Sequence, residues 1–542
     1  MFDMILKNAL IVDGTRAKAF ESDVCIKDGK IAAVGKCAVE DADTILDLTG
    51  KVLAPGFIDI HSHSDASPLV SYTVESKALQ GVTTEIGGNC GISILPSNDR
   101  RRREINDYFA AELEQPLAGF EASDDSITDY AQSVAAHGSS INTGLLIGHG
   151  TLRLLVMGFE DRDPTRAELA EMKDVLGREL ERGAFGMSLG LIYPPSAYAK
   201  KKELVELAKV VKKHDGILSV HMRSEGPKIF EAVAEVLDIA EQSGVHLEIS
   251  HLKLMGAPQW HRAEELLELI ERSRSRGANV TCDQYPFNAT STGMSALVPH
   301  WAHAGGAEGM LRRLASREGT IAQEIGAEMA NRGGPECVLV TGTHGYRPEY
   351  EGKTVAQLAA EMNLDPVDAV IRILTECKTA VACVYFTICE EDMLRIMKDM
   401  NICVGSDGYS FSLSPEIMKN NPHPRSYATF PRFLQIVREK KLMPLEDAVY
   451  KITGLPARIL GMENRGVIKA GCAADITVFD AETVSSASDF LNSKVRPTGI
   501  EHVIVGGVFA VRGGQLTADR PGSVVLHRKS LLAKSPAEVL PR

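Results

Sequence analysis

Nothing in the 542-residue chain stays apolar for long. No hydrophobic run reaches the roughly 18 residues of a membrane-spanning helix, so no such span is expected. Positive charge is not in excess either. Lys and Arg total 59 against 72 Asp and Glu, a net charge of −13, and the pI is near 5.7. That balance argues against nucleic acid or an anionic membrane as partner. The opening MFDMILKNALIVDGT carries Asp3 and has no basic segment, long apolar stretch or cleavage site. It reads as a strand and turn rather than a signal peptide. Cysteine is sparse: the ten residues show no framework spacing, as expected of reduced thiols in a cytoplasmic protein. Repeats and low-complexity tracts are also lacking. What remains is 44% hydrophobic and 24% charged, with mean hydropathy −0.06, the material of a large folded core.

The two ends share one texture. Residues 1–55 are short alternating runs broken at Gly and Asp (ILKNALIVDG, DVCIKDGKIAAVG, TILDLTGKVLAPG), and the pattern returns over 464–526. Such alternation predicts small antiparallel β structure, one β domain built from both termini. Residues 527–542 form a polar tail. The middle, 56–463, alternates β-branched runs with amphipathic stretches such as KKELVELAKVVKKHDG, whose apolar residues recur every three or four positions. Strands are expected at Phe57–His61, Thr83–Gly87, Asn142–Gly148, Ala184–Ser188, Gly216–His221, His246–Ser250, Asn279–Asp283 and Ile402–Ser406. Eight strands with helical crossovers predict an α/β fold, a (β/α)₈ TIM barrel. The interval between strands seven and eight is unusually long. Residues 286–348, rich in Gly, Pro and Ala, read as an insertion forming a lid over the barrel mouth.

Chemistry-bearing residues gather at the predicted strand ends. His61 and His63 in APGFIDIHSHSD lie two apart after an apolar strand, so both imidazoles can face one ion. Cys90 sits in GGNCGIS, His221 ends ILSVH, His251 ends LEISH, and Asp407 ends ICVGSD. Singly, each of these four has an ordinary structural explanation, a buried thiol, a core histidine or a turn carboxylate. Together they put thiol, imidazoles and carboxylate on the face that carries the HxH pair. Ser62, Ser188 and Ser406 lie nearby, but none sits in a GxSxG elbow, so a serine hydrolase finds little support. Arg100–Arg103 are followed by acids and read as a solvated helix face.

The pattern resembles the amidohydrolase superfamily: HxH after strand one, His after strands five and six, Asp after strand eight. Strand four, in GAFGMSLGLIYPP, has no Lys to bridge two metals, and Cys90 is the plausible substitute, since a thiolate can bridge zinc ions. With GVTTEIGGNCGIS, SLGLIYPPSAYA, HMRSEG, ISHLK, DQYPFNATSTG and HPRSYATFPRFL, the chain resembles the N-acyl-D-amino-acid deacylases (D-aminoacylases) over residues 1–526. One departure is the stretch Asp407–His423, longer than that family's usual loop.

The resemblance implies a metal-dependent barrel with a small β-sandwich and a lid inserted after strand seven. It implies a tight Zn²⁺ site of Cys90, His221 and His251, and a second, weaker one of His61, His63, Cys90 and Asp407. Asp407 would be general base and acid, and Lys253, Tyr285 and Arg425 would anchor the substrate carboxylate. The expected partner is a small N-acyl-D-amino acid, cleaved to a carboxylate and a D-amino acid. Two alternatives stay open at this level: another amidohydrolase (hydantoinase, dihydroorotase or dipeptidase) and a non-catalytic binding protein on the same fold. Side-chain preference, acyl length, metal count and oligomeric state are open as well.

Overall fold

The computed structural model describes residues 1–37, 42–70, 74–112, 123–418 and 420–527. Among them, parallel strands close a barrel in chain order. Phe57–Asp59 pairs with Val82–Gly87, and that strand pairs with Asn142–Leu145. The third strand breaks at Leu146, whose N–H turns to Gly87 O, and resumes as Ile147–Gly148. From there the ladder runs through Gly186–Gly190, Ile217–His221, His246–Ile249, Val280–Gln284 and Ile402–Val404. A parallel bridge from Ser62 to Gly408 joins the ends of strands one and eight and completes the ring. All these strands are buried, as a barrel wrapped in helices requires.

Strand four begins two residues later than the sequence suggests, at Gly186 rather than Ala184. The Ala184 N–H is taken by Glu179 O in the last turn of the preceding helix, whose cap is Gly183 at φ 114°. That helix, Arg166–Arg182, opens on a reciprocal cap in which the Thr165 hydroxyl accepts from Glu168 N while Glu168 accepts from Thr165 N. Lys201–Lys213 buries Leu204, Leu207, Ala208 and Val211, an i, i+3, i+4, i+7 stripe, against the barrel. No helix of the described residues is long and apolar enough to cross a membrane.

The inserted unit is larger than 286–348. Its antiparallel sheet has the order Thr290–Gly293, Ala382–Tyr385, Val338–Gly342, so it closes only with a strand well past residue 348. Helices Gly306–Ser316, Ile321–Asn331, Val355–Met362 and Pro366–Glu376 pack around a separate core containing Leu314, Ile325, Val340, Ile373 and Tyr385. The last two helices have the same amphipathic pattern as barrel helices. Only pairing of distant strands assigns them to the insertion.

Strands from both chain ends form one nine-stranded sheet, in which Val52–Pro55 pairs with Ile476–Phe479. Leu6, Ile26, Leu53, Ile476 and Ile504 meet in one cluster and close the small β domain. One detail differs from the sequence reading. Residues 521–527 leave that domain and run beside the barrel, with Gly522 N donating to Ser139 O and His527 N to Gly183 O. A hairpin that pairs Val24 with Val34 brings Cys25 and Cys37 side by side, with their Cα atoms 6.9 Å apart. The remainder of the tail, 528–542, lies outside the described residues.

Candidate active site

The barrel's C-terminal rim holds the selected residues. His61 and His63 follow strand one, Cys90 follows strand two, and His221 ends strand five. His251 and Lys253 follow strand six, Tyr285 follows strand seven and Asp407 follows strand eight. Arg425 opens the next helix, Arg425–Lys440. All nine line or adjoin one cavity of about 1090 Å³, roofed in part by Leu297, Trp301 and Arg332 of the insertion.

Cys90 Sγ is the hub. It lies 3.4 Å from His61 Nε2, 3.7 Å from His221 Nδ1 and 3.5 Å from His251 Nε2. His61, Cys90, His251 and Asp407 offer donor atoms within 4.8 Å of one another. Asp407 Oδ1 lies 3.0 Å from His63 Nε2 and 3.3 Å from His61 Nε2, while Oδ2 accepts from Arg425. His221 Nε2 is buried without a hydrogen-bond partner. Such an orphan in a polar site marks a place for a missing partner. The centre of the Tyr285 ring lies 5.6 Å from Lys253 Nζ and 5.3 Å from the Arg425 guanidinium carbon.

Small residues let the Cys90 loop approach so closely. A Cβ on Gly190 would fall 1.9 Å from Cys90 O, and one on Gly88 (φ 75°) would fall 2.0 Å from Leu146 O. Asp65 accepts from the N–H groups of Gly88 and Ile94, clamping both sides of that loop. Burial pushes its carboxyl up to about 6, against those hydrogen bonds.

Burial opposes charge on each group at the hub; it prevails at His221, whose imidazole it pushes down, and is outweighed by the neighbours at the others. His61, with hydrogen bonds to His221 and His251, holds the Cys90 thiol well below its ordinary range. Arg425, then His251 and hydrogen bonds from His61 and His63, hold the Asp407 carboxyl well below the carboxylate range. In return Asp407 and Cys90 push His63 up to about 9 against its burial. Burial and Lys253 depress His251, but Glu225, Asp407 and Cys90 carry it up to about 9. Two buried anions are thus balanced by protons on imidazoles, a role that a bound cation would take over. Thiolate, imidazole and carboxylate in this number are a zinc donor set.

Several supporting residues escaped the sequence reading, although they lie inside the motifs. Asp283 Oδ2 is 2.9 Å from His61 Nδ1, and its Oδ1 accepts from His251 N, so one carboxylate sets the His61 imidazole and the backbone that carries His251. Glu225 of HMRSEG faces His251 Nδ1 at 2.8 Å and pairs with Lys253. Below the rim, buried Lys77 bridges Asp59 and Ser406, tying strand one to strand eight. The long loop after Asp407 packs back on the HxH turn: Ser410 N donates to Ser64 Oγ, and Tyr409 lies 5.5 Å from the His63 ring.

The model of the amidohydrolase family matches residues 44–338 and 396–511. The chain belongs to the amidohydrolase family. Within that family it is 33% identical to a D-aminoacylase of Alcaligenes xylosoxydans xylosoxydans, over 97% of each chain. It is 32% identical to an N-acyl-D-glutamate deacylase of the same organism, over 98% of each. The solved N-acyl-D-glutamate deacylase of Bordetella bronchiseptica, complexed with zinc and a phosphonate inhibitor, superposes with a TM-score of 0.82. That match is 32% identical and covers 97% of this amidohydrolase and 99% of the other chain.

Proposed function

We propose that this amidohydrolase cleaves N-acyl-D-amino acids to a carboxylate and a free D-amino acid, and that zinc is its metal. Cys90, His221 and His251 would hold one ion tightly, and His61, His63, Cys90 and Asp407 a second, weaker one. The observation that carries the reading is the Lys253, Tyr285 and Arg425 cluster, in which the Lys253 ammonium lies 5.6 Å and the Arg425 guanidinium carbon 5.3 Å from the centre of the Tyr285 ring. It faces the same cavity as the Cys90 hub and fits a substrate carboxylate held beside a hydrolytic centre. Strand four, GMSLG, carries no Lys, which separates the site from the hydantoinase-like alternative. Ten scattered cysteines without framework spacing support a reducing, cytoplasmic setting for the Cys90 thiol.

Zinc, when bound, polarises an amide carbonyl and makes water easier to ionise near neutral pH. Asp407 does the proton work. Held ionised by Arg425, it takes a proton from the attacking water on Oδ1 and returns it to the departing nitrogen, which leaves as an amine. Lys253, Tyr285 and Arg425 would fix the carboxylate and the hub the amide, which leaves the side chain and hydrogen of the α-carbon two distinct directions in the cavity. Only one enantiomer then presents the scissile bond correctly. Arg425 also grips Asp407, which links carboxylate recognition to the proton carrier.

The test is a panel of N-acetyl-D- and N-acetyl-L-amino acids, with hydantoins alongside, on zinc-loaded protein. D-isomers should be hydrolysed and the others barely touched. Arg425→Met should lower both kcat and kcat/KM, with a loss of about 2–5 kcal/mol in the latter for a buried charge pair. Equal turnover of D and L, or faster hydrolysis of hydantoins, would overturn the reading.

A further inference from the structure

Away from the rim, His261, Cys389 and Glu391 bring an imidazole, a thiol and a carboxylate within 4.8 Å of one another. His261 belongs to the loop between strand six and helix Ala263–Ser275. Cys389 and Glu391 belong to the point where the chain leaves the inserted unit and starts helix Glu390–Met397. We propose that these three side chains form a second, peripheral site for a zinc-class divalent cation, pinning the exit of the insertion to the barrel.

The donor types are those of a zinc site with one position left for water, and the outer two residues are exposed, so water and metal have access. His261 Nδ1 and Glu391 Oε2 are 3.2 Å apart. Two donors each about 2.0–2.1 Å from one tetrahedral ion lie roughly 3.3 Å from each other. The spacing of this pair therefore suits a shared ion.

The backbone that presents these side chains is also held in place. His261 has a left-handed backbone (φ 64°). The buried carboxylate of Asp392 fixes that conformation, accepting from His261 N at 2.6 Å and from Ala263 N at 3.1 Å. Asp392 directly follows Glu391, so one helix turn anchors the loop and supplies two of the ligands. The two segments are stitched further by Gly256 N and Trp260 Nε1, both donating to Thr387 O. Met255, on the same loop, lines the substrate cavity. An ion here would stiffen the hinge on which the cavity roof is mounted, without touching the hub. This site does not depend on the substrate assignment.

The experiment measures zinc content of the full-length protein after loading and dialysis, for wild type, Cys389→Ser and His261→Asn. Cobalt-loaded samples supply a second readout through thiolate-to-cobalt charge-transfer absorption. Each variant should hold one equivalent less than wild type while hydrolysing N-acetyl-D-methionine at the wild-type rate. The wild-type minus Cys389→Ser cobalt spectrum should show a thiolate band that the Cys90 site cannot account for. Unchanged metal content with an empty difference spectrum would overturn the proposal and leave His261–Glu391 as a surface ion pair. His261→Asn, which leaves the thiol in place, keeps the test decisive if Cys389→Ser fails to fold.

Discussion

Cys90, His251 and Asp407 share a backbone peculiarity: their φ values are 52°, 37° and 51°, in the left-handed region that residues with a Cβ avoid. Each sits where a strand ends and the chain turns sharply, so the side chain is thrown inward over the rim. Such strain costs on the order of 1–3 kcal/mol per residue and persists where surrounding contacts over-determine it. Cys90→Ala should remove the central donor, with loss of the tightly held zinc and nearly all activity. Cys90→Ser should recover only part of either, because an alkoxide forms far less readily than a thiolate. Metal content and turnover measured on the same samples check both. Asp407→Asn should leave the fold intact and cut kcat by about 10²–10⁴-fold, the range for a general acid–base group. A variant within a few-fold of wild type would remove Asp407 as proton carrier. Asp283 is a positioning residue, and Asp283→Asn should weaken zinc affinity or activity by about 10–100-fold through misplaced His61 and His251. A zinc titration against a chelator reads this directly.

Among the elements, helix Arg166–Arg182 shows how local chemistry sets a boundary. Thr165 and Glu168 satisfy each other's backbone N–H groups, and Gly183 ends the helix. Thr165→Ala should cost about 1 kcal/mol of unfolding free energy with kcat unchanged, since the cap lies outside the cavity. Arg162, then hydrogen bonds from Thr165, bring the Glu168 carboxyl down to about 2 from an ordinary 4.5. A depressed carboxyl stabilises the fold above its unfolded value, and that contribution fades as pH falls from about 4.5 through 2. Chemical denaturation of wild type and Glu168→Gln should therefore differ most near neutrality and converge in acid. The pair is partly exposed to solvent, so the difference should be small.

For the whole molecule, the hub draws on strands one, two, five, six and eight, so zinc would link elements far apart in the chain. Metal bound only by the folded protein should raise its stability by about 2.7 kcal/mol at a hundredfold excess over Kd. Calorimetry with zinc and with chelator should show the higher Tm with zinc, and Cys90→Ala should lose most of the shift. The inserted unit has its own core, so its melting can be followed through Trp301, which is part of it, in a Trp260→Phe background.

The sequence by itself determined the barrel's eight strands to within a few residues and the place of each chemistry-bearing side chain at a strand end. That was possible because period and position along a strand are local properties: APGFIDIHSHSD and LEISH show apolar runs ending in ligands without reference to anything distant. It determined equally that both chain ends share one β texture. Only the tertiary structure decided how far the insertion runs, because Ala382–Tyr385 becomes its central strand by pairing with Thr290–Gly293 and Val338–Gly342. Only the tertiary structure set Asp283 against His61, Glu225 against His251, and Arg425 against Asp407. These contacts join residues from 18 to 222 positions apart. Ring closure through the Ser62–Gly408 bridge creates the central ones, and no periodicity along the chain encodes such a closure.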